Sequence, residues 1–146
     1  MNHPLKNKKS CLQKSKEDPK SKYWLKKSDA AWGALIHSIF GTCAVNNRGC
    51  QGRLEAHHLI NRSIKATRHS RENGIILCSL HHKFSRYLSP HKAPLEFAEW
   101  LQNKYPEKWS WVQEHKNDWK TATLDYKVAY ENLTMLLAQQ LKSYGE

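Results

Sequence analysis

The chain has 146 residues, of which 39% are hydrophobic and 10% aromatic, and its 24 Lys and Arg outnumber 13 Asp and Glu for a formal charge of +11. That length suits one domain with appendages, and the apolar content supports a modest core, so full disorder is excluded. No apolar run reaches the ~18 residues that a bilayer span requires, and the polar N-terminus has no apolar signal core, so a cytoplasmic protein with a polyanionic partner is expected rather than a membrane protein.

Residues 1–28 hold nine lysines against Glu17 and Asp18, a charge of +7 that leaves +4 for the rest. They read as a basic flexible arm that orders on nucleic acid, a solvated tail being the alternative, with a short helix over Tyr23–Lys27 docking on the core. Ser28 or Asp29 is expected to cap a helix running to Phe40, buried through Trp32, Leu35, Ile36, Ile39 and Phe40. His37 lies off that stripe, and Gly41 and Thr42 stop the helix. Cys43–Gly52 is a loop, Leu54–Ile60 a short strand, and Asn61–Asn73 a basic loop carrying Arg62, Lys65, Arg68, His69 and Arg71. Gly74–Leu77 is a second strand, and Ser79 to Tyr87 a helix ended by Pro90. Ala93–Lys104 follows as an amphipathic helix with Leu95, Ala98 and Leu101 on one stripe, joined by Phe97 and Trp100. Pro106 breaks it. Further helices are expected over Trp109–Trp119 and from Thr121 to Tyr144, the latter with Tyr126, Tyr130, Leu133, Leu137 and Leu141 along its packed side.

The residues that carry chemistry lie between Cys43 and His82. With no export signal, the cysteines point to metal rather than disulfides. Cys43 and Cys50 are separated by six residues, Cys78 and His81 by two, and the pairs by 27. Two short-range N/S pairs are how a tetrahedral structural zinc site is assembled. His81 and His82 are adjacent, so on a helix they point about 100° apart and one metal does not easily take both. His57 and His58 are adjacent on a strand, where neighbours face opposite ways. His57 and His82 are therefore free to share a second, harder metal while His58 takes a proton.

Cys43 and Cys50, then AHHLINRS at Ala56–Ser63, Asn73, and ILCSLHH at Ile76–His82 together resemble an HNH endonuclease. The order His, Asn, His matches, with 14 residues between His58 and Asn73 and eight between Asn73 and His82. The likeness covers residues 43–88, and small basic chains of this kind with a helical tail resemble those carried by bacteriophages. It implies an α+β, mostly helical fold: a ββα-metal core on a two-stranded antiparallel hairpin, flanked by helices on both sides. The organisation it implies is an arm over 1–28, a nuclease domain over 29–92 and a helical region over 93–146.

The resemblance implies that His58 is the general base, that His57 and His82 hold the catalytic metal, and that Asn73 ties the loop and holds the base in line. Cys43, Cys50, Cys78 and His81 would hold the structural zinc. The first cysteine spacing is longer than usual, and His81 stands where cysteine is usual. An exchange of roles between His81 and His82 therefore stays open. Mg2+ or Mn2+ is the expected catalytic ion, with nickel and cobalt as further candidates because imidazole is a softer donor. Arg62, Lys65 and Arg68 are candidate phosphate contacts, with His69 a weaker one. The expected partner is double-stranded DNA, cut or nicked by a monomer. The alternative is a non-catalytic zinc-stabilised DNA-binding module.

Overall fold

The computed structural model describes residues 9–118 and 124–145. The chain forms helices α1 (Cys11–Glu17) and α2 (Lys22–Phe40), strands β1 (Leu54–His58) and β2 (Gly74–Cys78), and helices α3 (Pro94–Lys104), α4 (Pro106–His115) and α5 (Tyr126–Lys142). It is α+β and mostly helical, as expected. β1 and β2 pair antiparallel, with Leu54 opposite Cys78, His57 opposite Ile75 and His58 opposite Gly74.

All five residues of β2 are buried. Its alternation explains why: Ile75 and Leu77 pack with Cys43, Ala44, Phe97 and Leu101, while Ile76 packs with Ala31, Trp32, Leu35, Ile36 and Leu133. A strand covered on both faces reads as an unbroken apolar run, which is what GIIL is. Fully burying side chains of this size stabilises by about 1.5–3 kcal/mol each. Phe97 and Leu101 of α3 and Leu133 of α5 thus share these two cores with the hairpin.

Gly74 is required by this packing. A Cβ there would lie 2.4 Å from Ile36 Cδ1 and 2.9 Å from Trp32 Cζ2, both belonging to side chains locked in the core. Gly74→Ala is therefore expected to cost about 1–3 kcal/mol by overpacking. Thermal denaturation should show a fall of several degrees, and an unchanged midpoint would contradict the close approach.

Several expectations are corrected. Of the expected arm over 1–28, Cys11–Glu17 is helical, and Lys22–Ser28 are the first turns of α2. The anchors are tertiary. Trp24 donates its indole N–H to the Lys16 carbonyl (2.9 Å) and packs on Tyr130, and the Pro19 carbonyl accepts from Tyr126 N–H at the start of α5 (2.9 Å). The rest of that arm, residues 1–8, lies outside the described residues. Ser28 and Asp29 cap nothing: Ser21 sits at the N-cap, Ser28 is buried within α2, and Asp29 is used elsewhere. Gly41 ends α2 as expected, at φ 67°.

The expected helix over Ser79–Tyr87 is only one wide turn, Leu80–Phe84, closed by Ser85 N–H to the Leu80 carbonyl at 2.8 Å. Ser85 ends it because its hydroxyl accepts from the Leu88 N–H (3.0 Å), which competes with continued helix. Pro106 breaks α3 but also begins α4, since a missing N–H costs nothing in a first turn. On α3 the buried residues are Phe97 and Leu101, and Leu95 is 81% exposed. On α5, Leu133 is buried but Leu141 is exposed. The expected helix ends at Trp119 and Thr121 lie outside the described residues. No helix among the described residues is long and apolar enough to cross a membrane.

Candidate metal centre and histidine groove

The loop after α2 brings the cysteines to the hairpin. Ala44 N–H donates to the Ile76 carbonyl (2.8 Å), which sets Cys43 beside β2, and Leu80 N–H donates to the Gln51 carbonyl (3.2 Å), which sets Cys50 beside the Leu80–Phe84 turn. Gly52, at φ 84°, leaves room where a Cβ would meet Ser79 Cβ at 2.8 Å. The result gathers Cys43, Cys50, Cys78 and His81, with all ligand atoms within 4.8 Å of one another. The three sulfurs lie 3.8, 3.6 and 3.2 Å from His81 Nδ1. Zinc–sulfur and zinc–nitrogen bonds of about 2.3 and 2.0 Å in a tetrahedron require S–N edges of about 3.5 Å. The cluster fits such an ion, and it could bind a metal such as zinc.

The titrations suit ligation. Burial pushes the His81 imidazole below its ordinary value, towards the neutral form that coordinates. Burial alone would raise the Cys78 thiol, but the backbone N–H groups of His81 and Gln51 outweigh it and hold the thiol below its ordinary value. Cys50 moves up, through burial and the neighbouring thiols of Cys43 and Cys78, which outweigh its contact to the Asn47 backbone.

His82 points away from this cluster, as adjacent positions on a helical turn must. Its Nε2 lies 3.1 Å from His57 Nδ1, and its Nδ1 lies 2.5 Å from a Glu55 carboxylate oxygen. Glu55 also pairs with Lys83 (2.9 Å), and these two contacts hold its carboxyl down at about 2. A carboxylate on Nδ1–H fixes the tautomer that leaves the His82 Nε2 lone pair free for a metal. A nitrogen pair 3.1 Å apart is about the edge spanned by two imidazoles on one ion with bonds near 2.1 Å. His91 stands beside both rings, with centroids 5.8 Å from His57 and 5.0 Å from His82, and the three histidines offer ligand atoms within 4.8 Å of one another. Burial, then the charges of His82, His91 and His58, lower His57 to about 3, so it is neutral near pH 7.

His58 faces the other side of β1, stacked on Trp32 with ring centroids 3.7 Å apart. Its Nε2 bonds the Arg68 carbonyl at 2.9 Å, which as a donor contact leaves Nδ1 as the proton-accepting nitrogen. Burial lowers it to about 4. Asn73, wholly buried, ties the 59–73 loop: its Oδ1 accepts from Ile60 N–H (2.6 Å), and its Nδ2 donates to the carbonyls of Ile60 and Thr67 (both 3.0 Å). Trp32 adds a bond from its indole to the Ser70 carbonyl (2.9 Å).

His57, His58, His82 and His91 line one groove of about 420 Å3 with Ala56, Asn61, Arg62 and Lys83. None of these lining residues is acidic. Arg62 sets a positive rim suited to an anion, while Lys83 beside it is paired with Glu55. The other candidate cations differ. Arg68 is committed to Asp29 by a fork of 2.8 and 2.7 Å and to the Arg62 carbonyl (2.9 Å), so it holds the loop on α2 and is not a free phosphate contact. His69 also pairs with Asp29 (2.9 Å). Lys65 is exposed but lines a separate depression against α5. Burial works to raise the Asp29 carboxyl, yet Arg68 and His69 hold it well below the usual carboxylate range.

Sequence reasoning missed Glu55, Lys83 and His91. Glu55 had a signal, since it stands two residues before His57 on the same strand and so on the same face. His91 had none, because its approach depends on where the preceding turn stops. No family model, curated protein or solved structure matches the chain.

Proposed function

We propose that the chain is a metal-dependent DNA endonuclease or nickase of the HNH type, with His58 as general base and His57 and His82 as ligands of a divalent ion. The observation that carries this reading is the convergence of His57 Nδ1 and His82 Nε2 at 3.1 Å in a groove that His58 also lines. The Cys43, Cys50, Cys78 and His81 cluster is the structural zinc site in this reading, so His81 belongs to zinc and His82 to the groove.

The residues divide the work as follows. Arg62 holds the phosphodiester at the rim, where it is exposed to solvent, and Lys83 stays paired with Glu55 beside it. His58, oriented by the Arg68 carbonyl and backed by Trp32, accepts at Nδ1 the proton of the attacking water. Glu55 orients His82, and Asn73 keeps the Ile60–Thr67 loop in the shape that supplies the Arg68 carbonyl. When bound, a divalent ion supplies charge neutralisation at the scissile phosphate and the leaving 3′ oxygen. The products are then a 5′-phosphate and a 3′-hydroxyl.

The test is incubation of purified protein with supercoiled plasmid and a divalent metal. Relaxed or linear products that vanish with EDTA are expected. Intact plasmid under every metal tried, with DNA still bound, would leave the zinc-stabilised binding module as the better reading.

A further inference from the structure

We propose that the segment between His82 and His91 is a base-stacking surface: Phe84 and Tyr87 take the nucleobases of an unpaired DNA strand, and Arg86 and Lys92 take its phosphates. The inference rests on the nuclease reading for the identity of the polymer. It deepens that reading by naming the form of the substrate, a locally unpaired strand rather than a closed duplex.

The first support is exposure. Phe84 is 64% exposed and Tyr87 88%. Tyr23, Trp24, Trp100 and Tyr105 all spend their rings on other rings of the protein. Phe84 and Tyr87 have no ring or cation contact of that kind among the described residues. Their π faces are left to a partner.

The second support is charge. From Asn73 to Leu95 the chain has no acidic residue, but it holds Lys83, Arg86 and Lys92. Lys83 is paired with Glu55, whereas Arg86 and Lys92 are exposed and form no ion pair among the described residues. Open rings interleaved with free cations are the combination that holds a single strand, the rings on base faces and the cations on the backbone. A closed duplex offers its phosphates but keeps its base faces stacked on one another, so the rings gain only where a step is opened.

The third support is placement. The segment runs from His82 to His91, and both line the groove, so a strand held on it lies beside the groove. Its backbone is fixed by two serines. The Ser85 hydroxyl accepts from the N–H groups of Tyr87 (3.3 Å) and Leu88 (3.0 Å). Ser89 is wholly buried; its hydroxyl donates to the Ser85 carbonyl (2.8 Å) and accepts from Lys92 N–H (3.0 Å), and Ala93 N–H donates to the Ser89 carbonyl (2.9 Å). The backbone on both sides of Tyr87 is therefore ordered before any strand arrives, which lowers the entropic cost of binding.

The experiment is fluorescence anisotropy on the full-length protein with no divalent metal added. The probes are a short oligothymidylate, the same strand annealed into duplex, and a strand of equal length built of abasic sites, which keeps the phosphates and removes the bases. Tyr87→Ala should weaken oligothymidylate binding about 5- to 150-fold, the scale of a lost stacking contact, and Phe84→Ala should act in the same direction. Tyr87→Trp should bind as the wild type does, and Tyr87→Leu should not, because leucine is apolar but has no π face. Neither alanine variant should change binding to the duplex or the abasic strand. Both side chains are exposed, so both variants should melt as the wild type does. Unchanged oligothymidylate affinity in folded Tyr87→Ala, or an equal loss on the duplex or abasic strand, would overturn the proposal. So would a wild-type dimer that Tyr87→Ala dissolves without DNA, since the segment would then be a self-association face. Binding is read without cleavage, so the two readings fail separately. Plasmid cut by a protein whose Tyr87→Ala variant binds like the wild type removes this surface and keeps the nuclease; Tyr87-dependent binding with no cleavage under any metal does the reverse.

Discussion

Serine in place of Cys43 or Cys78 is expected to strip the zinc from the protein and collapse the hairpin half of the fold. These two cysteines are buried, and Cys78 ends β2 while Cys43 opens the loop packed beside it. The four ligands tie segments separated by 27 residues of chain, and the fold offers no disulfide as a substitute, since all four cysteines are free. Structural zinc sites contribute on the order of 10 kcal/mol or more of apparent folding free energy, comparable to the whole stability of a small domain. The α2 side has its own core of Trp32, Leu35, Ile36, Ile76 and Leu133, so helical signal should persist while cooperative melting is lost. Elemental analysis with circular dichroism checks this. Wild-type protein should hold one zinc per chain in the cysteine cluster. A Cys78→Ser protein that melts like the wild type, with no zinc in either, would overturn the assignment.

The second large effect is catalytic. His58→Ala should lower plasmid nicking by about 100- to 10,000-fold, the scale of a lost general base. DNA binding and both metal sites should remain, because His58 belongs to neither metal cluster. Its ring stacks on Trp32, so alanine leaves a gap, and His58→Gln serves as the companion variant that fills more of it. Nicking at the wild-type rate by either folded variant would overturn the role of His58. The pH profile gives a second reading with a definite sign. Burial lowers His58 to about 4, so the neutral, proton-accepting form persists well below the ordinary value of 6.5. At saturating metal, wild-type activity should therefore hold between pH 7 and about 5 and fall only below that. A limb centred near 6.5 would contradict the buried, stacked imidazole. The same shift makes folding stability greatest above 6.5. It declines as pH falls from there towards 4, because the unfolded chain takes up protons that the folded His58 refuses.

Much of this site is legible in the sequence, because it is built from short-range spacing. Two residues between Cys78 and His81 bring both to one turn, adjacency sends His57 and His58 to opposite faces of a strand, and GIIL declares a strand buried on both sides. Trp32, Leu35 and Ile36 reveal the buried stripe of α2 in the same way.

What the tertiary structure decided involves choices between partners far apart in the chain. Arg68 reads as a phosphate contact until Asp29, 39 residues away, takes both of its guanidinium arms. The lysine-rich start reads as an arm by composition, and only the fold brings Trp24 to Tyr130 and Pro19 to Tyr126. His91 carries no signal in the sequence, and it reaches the groove because Ser85 ends a helical turn and Ser89 folds the chain back. Periodicity reports the face that a residue occupies within its own element. It does not report which charge a distant loop will deliver to that face, nor where a side-chain hydroxyl outcompetes the next backbone hydrogen bond, because both are settled by the packing of the whole chain.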